Sequence, residues 1–183
     1  TCALPSLKDG GVDRISINPQ TLNDHVLETI GRRHSARQVI EAFQIAREMG
    51  FTHINMDLIA GLPEDTLESF QDTVQKISAL SPESITIHTL AMKKASNLTQ
   101  QGKQLYREEC EQAAAMLDFA GEVLPENGYA PYYLYRQSRM VGNLENVGWS
   151  KKGYEGLYNV YVMDETHTIL SCGAGGVTKA KEP

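Results

Sequence analysis

The chain of 183 residues is long enough for one domain with a sizeable core, and its hydrophobic (41%) and charged (22%) fractions are ordinary for a globular protein. A formal net charge of −6 argues against general nucleic-acid binding, which leaves a basic footprint. No apolar run approaches the ~20 residues that span a bilayer, no signal peptide is visible, and three scattered cysteines give neither a disulfide framework nor a local metal motif, so a cytoplasmic protein without membrane or nucleic-acid partners is expected.

Strand and helix patterns alternate along the first half of the chain. Three runs rich in β-branched and aliphatic residues predict strands, at 14–18, 53–61 and 84–91. The helical patterns are a short one closed by Gly31, one with a Ser35–Gln38 capping box that Gly50 ends, one stopped by Ser81 and Pro82, and a long one over about 105–124. Strand starts roughly 35 residues apart predict right-handed βαβ units in a parallel sheet.

The pattern changes after residue 128, which predicts a first unit at 1–128 and a C-terminal α+β extension at 129–183. An aromatic and polar stretch without helical periodicity opens the extension. The runs YNVYVM (158–163) and TILSC (168–172), joined by the turn DETH, then predict a β-hairpin.

The three predicted parallel strands share one polar face. One side-chain parity is aliphatic on all three strands, and the other parity carries Ser16, Asn18, Asn55, Asp57, Thr86 and His88. A doubly wound sheet would be apolar on both faces, whereas a (β/α) barrel with a polar ligand in its lumen would show this pattern. The sequence therefore predicts an α/β fold, a partial (β/α) TIM-like barrel, with Asp57 and His88 facing the lumen.

Asp57 most requires an explanation, because an unpaired carboxylate inside a protein costs several kcal/mol. Its expected partner is a basic side chain, a set of backbone N–H groups or the hydroxyls of a ligand. A purely structural role as an acceptor for loop N–H groups explains a single buried Asp equally well. His88, taken alone, is more typical of a hydrogen-bonded core histidine than of a ligand.

Three stretches of the first unit resemble a known family. RISINPQTLNDHVLETIGRRH (14–34), INMDLIAGLPEDTLESFQDTV (54–74) and PESITIHTLAMKK (82–94) resemble the second half of the radical SAM core in oxygen-independent coproporphyrinogen III oxidases. That family uses S-adenosylmethionine (SAM) and also contains haem chaperones. The later stretches PYYLYRQSRMVGNLENVGWSKKGYEGLYN (131–159) and LSCGAGGVTK (170–179) look like its HemZ branch.

The resemblance implies a cofactor pair and a reaction. A [4Fe–4S] cluster, fed by a reductant protein such as flavodoxin or ferredoxin, would reduce SAM. The resulting 5′-deoxyadenosyl radical would start the oxidative decarboxylation of coproporphyrinogen III propionates to vinyl groups. The implied small-molecule partner is thus a porphyrinogen or haem, and protein groups position the cofactor while the cofactor supplies the difficult chemistry.

The chain departs from this family at one decisive point, because it contains no C-x3-C-x2-C motif for the cluster. Cys2, Cys110 and Cys172 do not replace that motif. We therefore expect the chain to be the C-terminal part of a longer enzyme, to be inactive alone, and to self-associate, either by pairing of the open edge at 14–18 or by packing of the open faces.

Five positions align with SAM contacts of the family. Gln20 has an amide that both donates and accepts, Arg32 has a guanidinium that suits a carboxylate, and Asp57 can accept from hydroxyl or ammonium groups. Ala91 aligns with a backbone contact and Val177 with an apolar one. Each has a plainer interpretation: a helix cap for Gln20, surface charge at a helix end for Arg32, and packing or a glycine-rich turn for the last two.

The substrate side is expected in the aromatic stretch. Tyr135, Arg136 and Arg139 combine an aromatic surface with forks that bind carboxylates, as a porphyrinogen with several propionates would require. An exposed basic loop explains the same residues, and Trp149 suits either the core or substrate stacking. Three functions stay open: an oxidase, a haem chaperone with a stable 1:1 haem spectrum, and a scaffold without chemistry. The presence of the cysteine motif upstream would separate the first two from the third.

Overall fold

The computed structural model describes residues 4–90, 100–135, 144–172 and 176–181, with only the backbone described for residues 100–107. Five strands form one sheet: β1 (Arg14–Gln20), β2 (His53–Ala60), β3 (Ser84–Thr89), β4 (Ala130–Tyr135) and β5 (Asn146–Ser150). Six helices accompany them: α1 (Leu4–Asp9), α2 (Asp24–Thr29), α3 (Ala36–Glu48), α4 (Leu67–Leu80), α5 (Gln100–Glu126) and α6 (Leu157–Asp164).

The sheet has the order β1-β2-β3-β5-β4. The first three strands are parallel and adjacent, which confirms the predicted βαβ arrangement and the partial barrel. The last two strands run antiparallel and join the free side of β3 through pairs such as Thr86 with Gly148. One sheet thus runs on past residue 128, and the division of the chain into two units at that point stays a prediction.

The core lies between the aliphatic face of the sheet and the helices. Ile54, Met56 and Leu58 of β2 are fully buried, as are Ile85 and Ile87 of β3. They pack in one cluster with side chains of α3, α4 and α5, including Phe43, Phe70, Val74, Ile77, Met116, Ala120 and Leu124. This is the parity that the sequence assigned to the helix layer. Trp149 also belongs to the cluster, so it is a core residue.

The helix boundaries follow local capping chemistry. Ser35 and Gln38 form the expected capping box at the start of α3, and Gly50 follows the helix with φ +80°. Thr66 caps α4 through the Ser69 N–H, and Ser81 ends it in the left-handed conformation. Within the described part of the chain, no helix is long and apolar enough to cross a membrane.

The predicted hairpin at 158–163 and 168–172 is wrong. The first run is helix α6, which begins after Gly156 and ends at a left-handed Glu165. The second run makes only an isolated bridge between Ile169 and Lys179. The β-rich residues of 158–163 favour a strand locally, but on α6 they cover the open face of the sheet, so tertiary packing overrides their propensity. The extension does hold an antiparallel strand pair, made by β4 and β5.

Candidate functional site

The polar face of the sheet is the floor of a cavity of about 630 Å³, which we call the sheet cavity. Four strands and the α6 segment line it: Arg14, Ile15, Ser16, Asn55, Asp57, Thr86, His88, Tyr133, Tyr135, Gly156, Leu157, Tyr158, Asn159, Val162 and Met163. The prediction that Asp57 and His88 share a cavity on the polar side of the sheet is therefore confirmed. The α6 residues provide an apolar wall opposite this polar floor.

Asp57 has one oxygen bound to the protein and one available. Its side chain is 19% exposed, and Oδ1 accepts a hydrogen bond from Asn55 Nδ2 at 2.7 Å. Among the described residues, no donor binds Oδ2. The protein partner of Asp57 is thus a side-chain amide and neither the basic side chain nor the backbone N–H groups expected from the sequence, and the second oxygen remains free to accept from a ligand.

His88 lies beside Asp57 as a neutral imidazole. Its Nε2 is 4.0 Å from Asp57 Oδ1, too far for a hydrogen bond, and its Nδ1 is 3.5 Å from the Tyr135 hydroxyl. Burial lowers the pKa of His88, and the Asp57 charge only partly opposes this effect. The imidazole therefore carries no charge at neutral pH, and its side chain is 31% exposed to the cavity.

Tyr133 forms the part of the floor where β5 has no side chain. Gly148 pairs with Thr86 on one side and with Tyr133 on the other, and the Tyr133 ring lies directly over it. The phenol lies across Gly148, and its ring stacks on Tyr135 with 6.2 Å between the ring centroids. Burial raises the pKa of Tyr133 to about 12, so the phenol is neutral and keeps its proton.

Arg14 occupies the end of the cavity at which β1 and β3 begin. It donates to Ser84 Oγ at 3.2 Å and to the Tyr154 carbonyl at 3.4 Å. The guanidinium also lies against Gly156, where a Cβ would be only 2.7 Å from its nearest nitrogen. Within the described residues it has no carboxylate partner. Arg14 thereby ties the segment that enters α6 to the parallel strands.

A second, smaller cavity of about 270 Å³ lies in the loop after β2. It is lined by residues of 61–66 together with Leu90, Glu109 and Gln112. Asp65 is 4% exposed, and neither carboxylate oxygen has a hydrogen bond of good geometry, although Ser69 and the Thr66 N–H lie near it. Burial raises the pKa of Asp65, and these two weak contacts oppose the rise only in part.

The residues predicted to contact SAM lie in several places. Gln20 is buried at the end of β1 with φ +69° and pairs with Leu58, next to Asp57. Arg32 lies in a separate surface groove that also contains Asp24, Glu28 and Glu41. Val177 is 84% exposed and does not line the sheet cavity. The cofactor role of each of these residues stays a prediction.

Of the three predicted substrate residues, one lies in the described part of the chain. Tyr135 lines the sheet cavity and contacts His88. Arg136 and Arg139, like the predicted cofactor contact Ala91, lie outside the described residues. Lys151, in contrast, donates hydrogen bonds to Ser81 and lies over the Tyr129 ring. Its ammonium group therefore interacts with the residue that ends α4.

Sequence reasoning missed Arg14, Ser84, Gly148 and Gly156. Arg14 and Ser84 continue the polar parity by one step toward the start of β1 and β3, so reading that pattern to the strand ends would have found them. The two glycines carry no periodic signal. Their importance depends on a tyrosine and an arginine that approach them from distant parts of the chain.

The cysteines of the chain do not fit an iron–sulfur site. Cys110 is half-buried on α5, Cys172 is exposed, and Cys2 lies outside the described residues. The part of the chain that the structure describes contains no group of three or more His, Cys, Asp or Glu side chains that could hold a metal ion. Asp57 Oδ2, by contrast, fits a cofactor with hydroxyl or ammonium donors.

Comparisons with known proteins give one consistent result. The model of the Radical SAM superfamily matches residues 3–77. The chain is 42% identical over 168 residues to the "oxygen-independent coproporphyrinogen-III oxidase-like protein HemZ" of Bacillus subtilis, covering 92% of the chain and 34% of that protein. It is 32% identical over 158 residues to the heme chaperone HemW of B. subtilis, covering 84% and 41%.

A solved structure supports the fold. Coproporphyrinogen III oxidase (HemN) from Escherichia coli superposes with a TM-score of 0.60 at 22% identity, over 88% of the chain and 34% of that protein. At this identity the likeness concerns the fold alone. The chain spans about a third of the length of HemZ and of HemN, and about two-fifths of HemW.

Proposed function

Because the chain belongs to the radical SAM superfamily, in the family of oxygen-independent coproporphyrinogen III oxidases and haem chaperones, we propose that it provides part of the SAM-binding site of an oxidase of anaerobic haem biosynthesis. The substrate of the whole protein would be coproporphyrinogen III, whose propionates are decarboxylated oxidatively to vinyl groups. SAM and a [4Fe–4S] cluster supply the radical chemistry in this proposal, and the cluster ligands are not among the residues of this chain.

The observation that carries the proposal is the state of Asp57. It lies on the polar floor of a cavity large enough for a small-molecule ligand, with Oδ1 fixed by Asn55 and Oδ2 free. In this proposal Oδ2 accepts hydrogen bonds from SAM. His88 and Tyr133 are neutral, and among the described residues no cation contacts Asp57, so a cationic or hydroxyl-rich ligand is favoured there.

The apolar wall of the cavity suits the substrate side of the same proposal. Leu157 and Tyr158 are 62% and 66% exposed, and Tyr135 stacks on Tyr133 across from them. Aromatic and aliphatic side chains with a few polar groups are typical of sites for flat organic ligands. Tyr135 is thus assigned to the substrate, together with Arg136 and Arg139, which would bind propionates.

A haem chaperone is the second candidate, and the 32% identity with HemW favours it. The two functions make opposite predictions for one experiment. A whole protein that contains this chain, with a reconstituted cluster, is incubated anaerobically with SAM, reductant and coproporphyrinogen III, and a second sample is mixed with haem. Vinyl products in the first sample support the oxidase, whereas a stable 1:1 haem spectrum in the second sample without decarboxylation in the first supports the chaperone.

Asp57→Ala in that whole protein tests the cofactor site. We expect the affinity for SAM to fall about tenfold or more and turnover to fall with it, because a charge-assisted acceptor is lost. The iron content should stay close to that of the wild type, since Asp57 is not a cluster ligand. Unchanged affinity for SAM, measured by calorimetry, would refute the assignment of Asp57.

A further inference from the structure

A chain of hydrogen bonds joins the Arg14 guanidinium to the Asp57 carboxylate. Arg14 Nη2 donates to Ser84 Oγ at 3.2 Å, and Ser84 Oγ donates to Asn55 Oδ1 at 3.0 Å. Asn55 Nδ2 then donates to Asp57 Oδ1 at 2.7 Å. Every donor in this chain points in the same direction, from the cation to the anion.

The Asn55 amide is the centre of this network and uses its full hydrogen-bonding capacity. Its nitrogen donates to Asp57 Oδ1 and to Ser16 Oγ, and its oxygen accepts from Ser84 Oγ and Thr86 Oγ1. The carboxylate fixes the orientation of the amide, because a flipped amide would place two acceptor oxygens against each other. Asn55 is 8% exposed and spans three strands, so it has no freedom to turn away.

We propose that Asn55 is a positioning residue for Asp57, and that Ser84 and Arg14 polarise the Asn55 amide through its oxygen. This inference rests on the proposed function, in which Asp57 binds SAM. Hydrogen bonds in series strengthen one another, and a cation at the donor end increases the positive charge on the last N–H. The carboxylate is thereby held in one orientation without a direct ion pair.

We call the hydrogen-bonded side chains of Arg14, Ser84, Asn55 and Asp57 the relay. It explains why neither the Arg14 guanidinium nor the Asp57 carboxylate has a direct ion-pair partner. An arginine in contact with Asp57 would bind both carboxylate oxygens with its planar fork and leave none for a ligand. In the observed arrangement the positive charge acts from a distance through two neutral side chains, and Oδ2 stays open to the sheet cavity. The relay thus preorganises the acceptor, which lowers the cost of binding.

The first test needs no ligand and uses the 183-residue chain. The side-chain NH₂ signals of Asn55 are assigned in a ¹H–¹⁵N spectrum by their loss in Asn55→Leu. We expect one proton to be shifted downfield and slow to exchange in the wild type. Ser84→Ala should move that proton upfield, and Asp57→Ala should remove its downfield shift. Ser150→Ala is the matched control, because Ser150 pairs with Ser84 in the sheet and lies outside the relay.

The second test makes the same substitutions in the whole protein that contains this chain, with a reconstituted cluster, and measures the affinity for SAM by calorimetry and the midpoint of thermal unfolding. Asn55→Leu should weaken binding about tenfold, and Ser84→Ala about two- to threefold, while neither should weaken it further in an Asp57→Ala background. Ser150→Ala should change the affinity less than twofold. A residue with a purely structural role would lower the unfolding midpoint without this dependence on Asp57.

The outcomes separate the two proposals. If Ser84→Ala leaves the Asn55 signals unchanged, the relay is refuted, whatever the affinity for SAM. If the signals behave as expected but Asp57→Ala binds SAM normally, the relay stands as an orienting device and the SAM role of Asp57 is refuted. If Asn55→Leu does not fold, triple-resonance spectra of the wild type assign the Asn55 signals, and Ser84→Ala alone decides, because it leaves both Asn55 and Asp57 in place.

Discussion

Gly148→Ala tests whether the floor of the sheet cavity depends on a missing side chain. A Cβ on Gly148 would lie 1.8 Å from Tyr133 Cε1 and 2.3 Å from Cδ1. Carbon atoms pack at about 3.5–4.0 Å, so the ring must move by more than about 1.5 Å, or β4 and β5 must separate. Either movement displaces the ring from the floor and disturbs its stacking on Tyr135.

The expected loss in the free energy of unfolding is about 1–2 kcal/mol. Overpacking of this kind costs about 1–3 kcal/mol. Replacing a glycine inside a strand with alanine stabilises the fold by about 0.5–1 kcal/mol, because alanine loses less conformational freedom on folding. This gain offsets part of the overpacking. Gly121→Ala is the control, since Gly121 lies in α5 with no neighbouring atom near its added Cβ and should be stabilised by up to about 1 kcal/mol.

Urea unfolding of Gly148→Ala, Tyr133→Ala and the double variant measures the coupling. Once the ring is absent, the three closest contacts of the added methyl are removed, so the double variant should be no less stable than Tyr133→Ala alone. Strictly additive effects, or a loss below about 0.5 kcal/mol in Gly148→Ala, would refute this account of the packing.

Three further predictions concern other parts of the molecule. Asp65→Asn should be more stable than the wild type at pH 7, because the fold favours the protonated carboxyl; the difference, read from unfolding midpoints, should shrink as the pH falls toward the ordinary pKa of an Asp. Gly156→Ala should push the guanidinium of Arg14 away and lower the free energy of unfolding in urea by about 1–2 kcal/mol. An unchanged urea midpoint would contradict this prediction. The chain should self-associate through the open edge of β1, so light scattering over a concentration series should show growing mass, and a strict monomer would contradict the prediction.

The polar floor of the site could be predicted because strand parity is a local property. If 14–18, 53–61 and 84–91 are parallel strands, the alternation of side chains places Asp57 and His88 on one face. Their actual partners were not accessible in the same way. The 2.7 Å contact of Asp57 with Asn55 depends on rotamers, and the contact of His88 with Tyr135 depends on where β4 pairs.

The C-terminal half shows where local signals fail. Pro131 and Gly148 argue against strands, yet β4 is an edge strand that tolerates a proline, and Gly148 makes room for a ring. The run at 158–163 has the composition of a strand but forms α6, because the open face of the sheet offers a place for a short apolar helix. In both cases the deciding contacts are made with residues far away in the sequence.

The antiparallel docking of β5 on β3 has a consequence for the order of folding. Met56 pairs with Ile85, whereas Ser84 pairs with Ser150, which closes a loop of roughly twice the length. Pairings between distant segments form more slowly than local ones. The parallel strands that carry Asp57 should therefore assemble first, and the part of the floor that contains Tyr133 and Tyr135 should be added late. During synthesis the polar side chains of β1, β2 and β3 would be accessible to solvent and to small molecules before the two tyrosines are in place.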